Sequence, residues 1–340
     1  MNRGAEVIVA GAGALGLSCA LALADAGCRV TVCDPTPEGP SASRVAAGML
    51  APVFETALDP GGATHFDLLL AARDLWPGFA QRTGVALDRS GAVAAGAPEW
   101  LERIGARLKA LGLPMTELDR AALDALAPGL SPDVTQGLMT REDWRLEAHS
   151  ALGVLRAAAV AAGVAFRTEA VTAVGGADWI VAATGAGQGL APIAPELALL
   201  SPIKGHILRF PEVRGGGVSV RGDGAYAAPS SAGLAVGATM EVGRSDTEVD
   251  PALLKPLAAA AGRLFPALAG AAFEGAAGVR VATPDGLPLA GPSVEPRVLL
   301  ASGARRNGWL IAPLVAQTIA ACVTGRDLGP HAARLDPARF

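Results

Sequence analysis

A glycine loop set between a strand and a helix constrains this 340-residue chain more than any other feature. Glu6-Val-Ile-Val-Ala10 reads as a buried strand, Gly11-Ala-Gly13-Ala14-Leu15-Gly16 follows at once, and an alanine-rich helix is expected from Leu17 to Ala26. Gly27 stands where a helix C-terminal glycine belongs, and Arg29-Val-Thr-Val-Cys33 reads as a second strand ending at Asp34. In such a βαβ unit the first glycine permits a tight turn, the second a close backbone approach to a pyrophosphate, and the third close helix–strand packing. The unpaired N–H groups at the helix start favour an anion there. Asp34 is placed to accept hydrogen bonds from a ribose diol. The pattern selects a dinucleotide without separating FAD from NAD.

Composition removes several other classes. Apolar residues make up 51% and charged residues 18%, enough for a large core and too little charge for disorder. The net charge of −4 supplies no basic field for nucleic acid or anionic lipid. Mean hydropathy is +0.38, but it comes from alanine and glycine. No run of 18 apolar residues lacks a charge, Gly or Pro, and Met-Asn-Arg-Gly-Ala-Glu reads as neither signal peptide nor anchor. Cys19, Cys28, Cys33 and Cys322 show no CxxC spacing and fit reduced thiols in the cytoplasm. His65, His149, His206 and His331 are scattered, so no metal site is expected.

Further along, residues 35–64 read as loop-rich. Helices are expected over Phe66–Gly78, Glu99–Leu111 and Leu146–Ala162, with strands at Val164–Thr168 and Trp179–Ala183. Pro202 to Val279 reads as short alternating strands with hairpin signals, and the end returns to α/β character, with a strand over 298–301 and a helix over 310–323. This alternation suggests a discontinuous Rossmann-like domain (1–79, 143–201 and 279–340) and a substrate domain on a mixed or antiparallel sheet (80–142 and 202–278).

Six blocks in order resemble the D-amino acid oxidase family of FAD enzymes over nearly the whole chain, most closely its glycine-oxidase branch linked to thiamine biosynthesis. They are Gly11 to Asp34, Ser43-Arg44-Val-Ala-Ala47-Gly48-Met49-Leu-Ala-Pro52, Ala183-Thr184-Gly185 with Pro202-Ile-Lys-Gly205, Val236-Gly-Ala-Thr-Met240, Gly278-Val-Arg280-Val-Ala-Thr-Pro-Asp285-Gly-Leu-Pro288, and Gly303-Ala-Arg-Arg306-Asn307-Gly308-Trp309-Leu310-Ile-Ala-Pro313. The resemblance implies that Ser43 to Met49 (Ser43, Arg44, Ala47, Gly48, Met49) wraps the flavin, with Ala14, Leu15, Thr184 and Gly185 on the nucleotide side and Val171 at the adenine. It also implies that Arg306, Asn307, Gly308, Trp309 and Leu310 open the last helix towards the flavin pyrimidine.

The family's carboxylate-binding arginine falls on Arg280 and its hydroxyl partner on Tyr226, the only tyrosine. A planar guanidinium can clamp a carboxylate through two parallel bonds. Without the resemblance, Arg280 reads as an arginine on a surface strand. Met49 and Met240 align with cavity-lining residues, although core filling is the ordinary role of methionine. The chain departs from its relatives at Ala304-Arg305, where they carry His and an aromatic, and the Gly303–Gly308 loop has no cysteine for a covalent flavin link.

The implied activity is oxidation of glycine, sarcosine or a similar small amino acid, by hydride transfer to non-covalently bound FAD, with O2 as electron acceptor and an imine and H2O2 as products. Rival readings are a dehydrogenase or oxidase of larger D-amino acids or secondary amines, and, more distantly, a non-catalytic dinucleotide-binding protein. Homo-oligomerisation is left open.

Overall fold

The computed structural model describes residues 4–59, 62–213 and 217–340; the expectation for the first three residues lies outside them. Its first strand, Glu6–Ala10, pairs in parallel with Arg29–Cys33 on one side and Trp179–Ala182 on the other. The sheet has six strands in the order Leu289–Pro292, Val298–Ser302, Trp179–Ala182, Glu6–Ala10, Arg29–Cys33, Ala165–Arg167. Only the Leu289–Pro292/Val298–Ser302 pair is antiparallel. Val7, Val9, Val30 and Val32 are buried, as expected where helices cover a parallel sheet.

The helix after the glycine loop runs Ala14–Asp25, three residues ahead of the expected start. A tertiary contact accounts for this: Ser43 Oγ accepts the Ala14 N–H at 3.0 Å, satisfying a donor that a helix start leaves open. This helix packs against the long helix Gly308–Thr324 and against Ala148–Ala161.

The second sheet has nine strands and is mixed. Glu241–Val242, Ser201–Phe210, Gly233–Gly237, Tyr226–Ser230, Ser219–Arg221, Ala92–Ala95, Gly137–Thr140 and Thr116–Leu118 follow in order, and Glu274–Ala282 also pairs with Ser201–Phe210. Ser219–Arg221 with Ala92–Ala95 is its parallel pair. We propose that the two sheets mark the two domains, with the last junction after Ala282. The expected junction at 278/279 falls inside the Glu274–Ala282 strand, which pairs without a break from Ser201 to Arg209.

Three local expectations need correction. The span 202–279 is not all strand: Pro251–Leu264 is a helix, capped by Asp250 through the Ala252 N–H. Leu254, Leu257, Ala261 and Leu264 recur at helical spacing and pack on one face of the nine-stranded sheet with Leu208, Phe210, Val220 and Val236. Pro256 inside it disguised the pattern. The helix expected over 66–78 divides at Leu75 into Phe66–Asp74 and Trp76–Thr83, with Pro77 in the first turn of the second. The loop-rich region contains the helices Ala42–Val45 and Pro52–Leu58 and the strand Met49–Leu50.

Asp143 anchors the second of those helices by accepting the Val53 and Phe54 N–H groups at 2.8 and 3.0 Å. Burial pushes its carboxyl up to about 7, against the opposing pull of Arg221 and the two N–H donors. A carboxyl raised above its unfolded value near 3.8 contributes stability that is full below that value and is lost as pH rises through about 7. The melting temperature of the wild type relative to Asp143→Asn is therefore expected to rise as pH falls from 8 to 5. Thermal melts of both proteins across that range check this, and a constant difference would contradict it.

Candidate active site

The glycine loop builds a groove of about 450 Å³ lined by Gly11, Gly13, Ala14, Leu15, Asp34, Ser43, Val171, Thr184 and Gly185. Gly11 has φ +111°, and a Cβ there would lie 2.4 Å from Ala183 O, so the backbone itself demands glycine. Gly16 does not line the groove; a Cβ there would lie 2.0 Å from Gly11 O, which is the close helix–strand packing expected of the third glycine. Asp34 accepts from Ala12 N and Thr36 N, both at 2.8 Å, and each carboxylate oxygen keeps a further lone pair for a ribose hydroxyl.

A second cavity, of about 350 Å³, shares Ala42, Ser43, Arg280, Arg305 and Gly308 with the groove, so the two are adjacent. Its floor is the nine-stranded sheet. Arg221 is the register partner of Tyr226, Tyr226 of Gly237, and Ile203 of Arg280. Directly opposed residues share a sheet face, and alternate residues along a strand return to it. Arg221, Tyr226, Gly237, Gly205 and Arg280 therefore all face the cavity, while Val220, Leu208 and Val236 face the Pro251–Leu264 helix.

Two glycines make room for the functional side chains. A Cβ on Gly205 would lie 2.1 Å from Arg280 Nη2, and one on Gly237 would lie 2.2 Å from the Tyr226 hydroxyl. Arg280 Nη2 donates to Thr239 O at 3.0 Å, and Thr239 is itself held by the His206 N–H at 2.8 Å. Burial lowers the Arg280 pKa and raises that of Tyr226.

Opposite this floor lie Ala47, Gly48, Met49, Asn307, Gly308 and Trp309, all cavity-lining. Trp309 Nε1 donates to Ser43 O at 3.0 Å, tying the Gly308–Thr324 helix to the Ala42–Val45 segment. Met240 is 47% exposed and stands at the mouth. Arg306 lines the cavity with its guanidinium engaged by Glu55 and Asp59. Two expected site residues lie elsewhere. Leu310 is fully buried in the core of the six-stranded sheet, and Arg44 donates to Pro37 O and Glu38 away from both cavities.

Sequence reading missed Arg221, which is 5% exposed and donates to Glu55 Oε1 at 2.8 Å, and it missed Glu55 itself. It also missed Gly205 and Gly237. The signal for Arg221 was its place five residues before Tyr226 in a tight hairpin, which sets the two side by side.

The family model described as FAD dependent oxidoreductase matches residues 6–322. The chain belongs to that family. This oxidoreductase is 30% identical to the bifunctional protein ThiO/ThiG of Trichormus variabilis over 372 residues, covering 98% of this chain and 55% of that protein. It thus spans about half the length of that curated relative. It is 27% identical to the glycine oxidase of Pseudomonas aeruginosa, with 95% of each chain covered. The solved glycine oxidase of Geobacillus kaustophilus superposes with a TM-score of 0.83 at 25% identity, over 99% of both chains. Among the described residues no helix is long and apolar enough to cross a membrane, and no group of three His, Cys, Asp or Glu is placed to hold a metal.

The residues fit the FAD that the family requires. The groove has the glycine-only backbone that pyrophosphate approach needs, an acidic group for the ribose, and a shared border with the cavity beside Met49 and Trp309.

Proposed function

We propose that this oxidoreductase oxidises a small amine-bearing carboxylic acid of the glycine or sarcosine type. The observation that carries the reading is the placement of Arg280 and Tyr226 on one sheet face, each lying over a glycine, in a cavity that borders the dinucleotide groove. Arg280 binds the substrate carboxylate through its planar fork, and the Tyr226 hydroxyl donates a further hydrogen bond to it. Arg280 is half-buried and partly stripped of water, so its pairing with the carboxylate is stronger than in bulk solvent.

Glycine-oxidase relatives and the solved glycine oxidase support the substrate class. If the substrate amine binds in its neutral form, no side chain has to remove a proton first, which suits a cavity with no histidine among its described lining residues. Bound FAD supplies the two-electron acceptor for hydride loss from the α-carbon, and O2 is the final oxidant that yields H2O2. The imine product hydrolyses or feeds thiazole formation in thiamine biosynthesis, a role supported by the ThiO/ThiG relative. We further propose non-covalent FAD, since no cysteine lies in the Gly303–Gly308 loop, and a cytoplasmic location.

The test is anaerobic bleaching of the flavin by a panel of amines. Glycine and sarcosine are expected to reduce it faster than D-phenylalanine, and FAD should be released on acid precipitation. The reverse order would assign larger substrates, and a flavin that stays in the pellet would contradict the non-covalent link. Peroxide formed in air separates an oxidase from a dehydrogenase that passes electrons to a quinone.

A further inference from the structure

The wall of the cavity carries four arginines, Arg221, Arg280, Arg305 and Arg306. The ion pairs are Arg221–Glu55, Arg306–Glu55, Arg306–Asp59 and Arg305–Asp59, so three guanidiniums share two carboxylates. Arg280 has a neutral acceptor, Thr239 O. Asp143 also feels the Arg221 charge but does not line the cavity, and its two oxygens accept from Val53 N and Phe54 N. One substrate carboxylate on Arg280 therefore leaves an excess of positive charge on the same cavity.

Arg221 is the arginine best placed to use that excess on the substrate side. It lies beside Tyr226 on the cavity face of the sheet, with its guanidinium carbon 5.6 Å from the Tyr226 ring centroid. It is 5% exposed, and its Nε–H has no hydrogen-bond partner among the described residues. A buried donor left without an acceptor is costly, and a small turn of the guanidinium that brings this donor to an anion in the cavity would recover that cost.

We propose that Arg221 is a second anion-binding group of this site, and that the substrates it favours are amino or imino acids carrying a second carboxylate. The proposal rests on the reading that Arg280 and Tyr226 hold the α-carboxylate. With the first carboxylate on Arg280 and the second against Arg221, the substrate spans the sheet face across Tyr226. Arg221 thus sets specificity and takes no part in bond breaking.

The experiment compares near-isosteric pairs on the holoenzyme: D-aspartate against D-asparagine, and iminodiacetate against sarcosine. The charged member of each pair is expected to have a kcat/KM higher by about tenfold or more, the equivalent of about 1.4 kcal/mol. Arg221→Gln should bring each pair to within about threefold, less than one charge-assisted bond is worth. Equal rates within each pair in the wild type would overturn the proposal. So would a ratio that survives the substitution, or an equal loss on all four substrates, which would make Arg221 only a brace for Glu55. Should the variant not fold, binding of malonate and acetate to the wild-type holoenzyme, read from the flavin absorbance, decides the matter. Malonate is expected to bind more tightly, and equal affinity would overturn the assignment. Sarcosine turnover without any preference for a second carboxylate would sink the Arg221 assignment alone, whereas failure of every amine to reduce the flavin would sink the carboxylate-clamp reading with it.

Discussion

Arg280→Ala is expected to lower kcat/KM roughly 30-fold to several-thousand-fold, equivalent to about 2–5 kcal/mol, because it leaves a carboxylate in a half-closed cavity without its counter-charge. Arg280→Lys should recover only part of this, since an ammonium is a point charge and cannot reproduce the fork. Tyr226→Phe removes one hydrogen bond to a charged group and should cost about 1.5–3 kcal/mol. FAD content should stay near that of the wild type in all three. Arg280 does line the groove as well as the cavity, so flavin occupancy and melting temperature have to be measured beside the kinetics. A variant that keeps wild-type kcat/KM, or that loses activity only by losing FAD or unfolding, would show that Arg280 is not the carboxylate clamp.

Gly11→Ala is expected to yield a protein purified largely without flavin and with a lowered melting temperature. Alanine at φ +111° carries a strain of about 1–3 kcal/mol. The new Cβ, 2.4 Å from Ala183 O, adds a similar overpacking cost of about 1–3 kcal/mol, because the neighbour is backbone and cannot swing aside. Both costs fall on the turn from which the pyrophosphate would be approached. Gly84→Ala is the control. Its φ is +84°, its nearest neighbour to a Cβ is Val154 Cγ1 at 3.8 Å, and it lines neither the groove nor the cavity next to it. That variant should lose some stability yet keep its FAD. Full flavin occupancy in Gly11→Ala would contradict the placement of the dinucleotide.

What could be read from the sequence was local. The strand, glycine loop, helix and Asp34 lie within 29 consecutive residues, and each acts on the next through backbone geometry. Arg280 and Tyr226 were located only by the order of blocks along the chain, because their proximity depends on strand pairing between distant segments. The same pairing hid Gly205, Gly237 and Arg221: nothing near Gly205 in sequence shows that Arg280, its diagonal neighbour on the next strand, will lie across it. Glu55 reaches Arg221 from 166 residues away, and a lone glutamate carries no such information. Arg44 shows the opposite failure. The resemblance put it at the cofactor, but Glu38 and Pro37 O lie within reach on the preceding loop and take its guanidinium.

The two glycines under Arg280 and Tyr226 also decide where substrate range can change. Both side chains lie flat across the neighbouring strand, so the sheet side of the cavity has no depth left to give and any residue larger than glycine displaces the grip itself. On the facing side Gly48 is held as tightly, a Cβ there falling 2.1 Å from Leu146 O, but the methionines have more freedom. Met49 opposite the floor and Met240 at the mouth are unbranched and adaptable, and Met240 already reaches solvent. Selection for bulkier or smaller amines should therefore act on these two side chains and leave the glycines untouched, and a variant library confined to Met49 and Met240 would reshape the cavity without moving its carboxylate anchor.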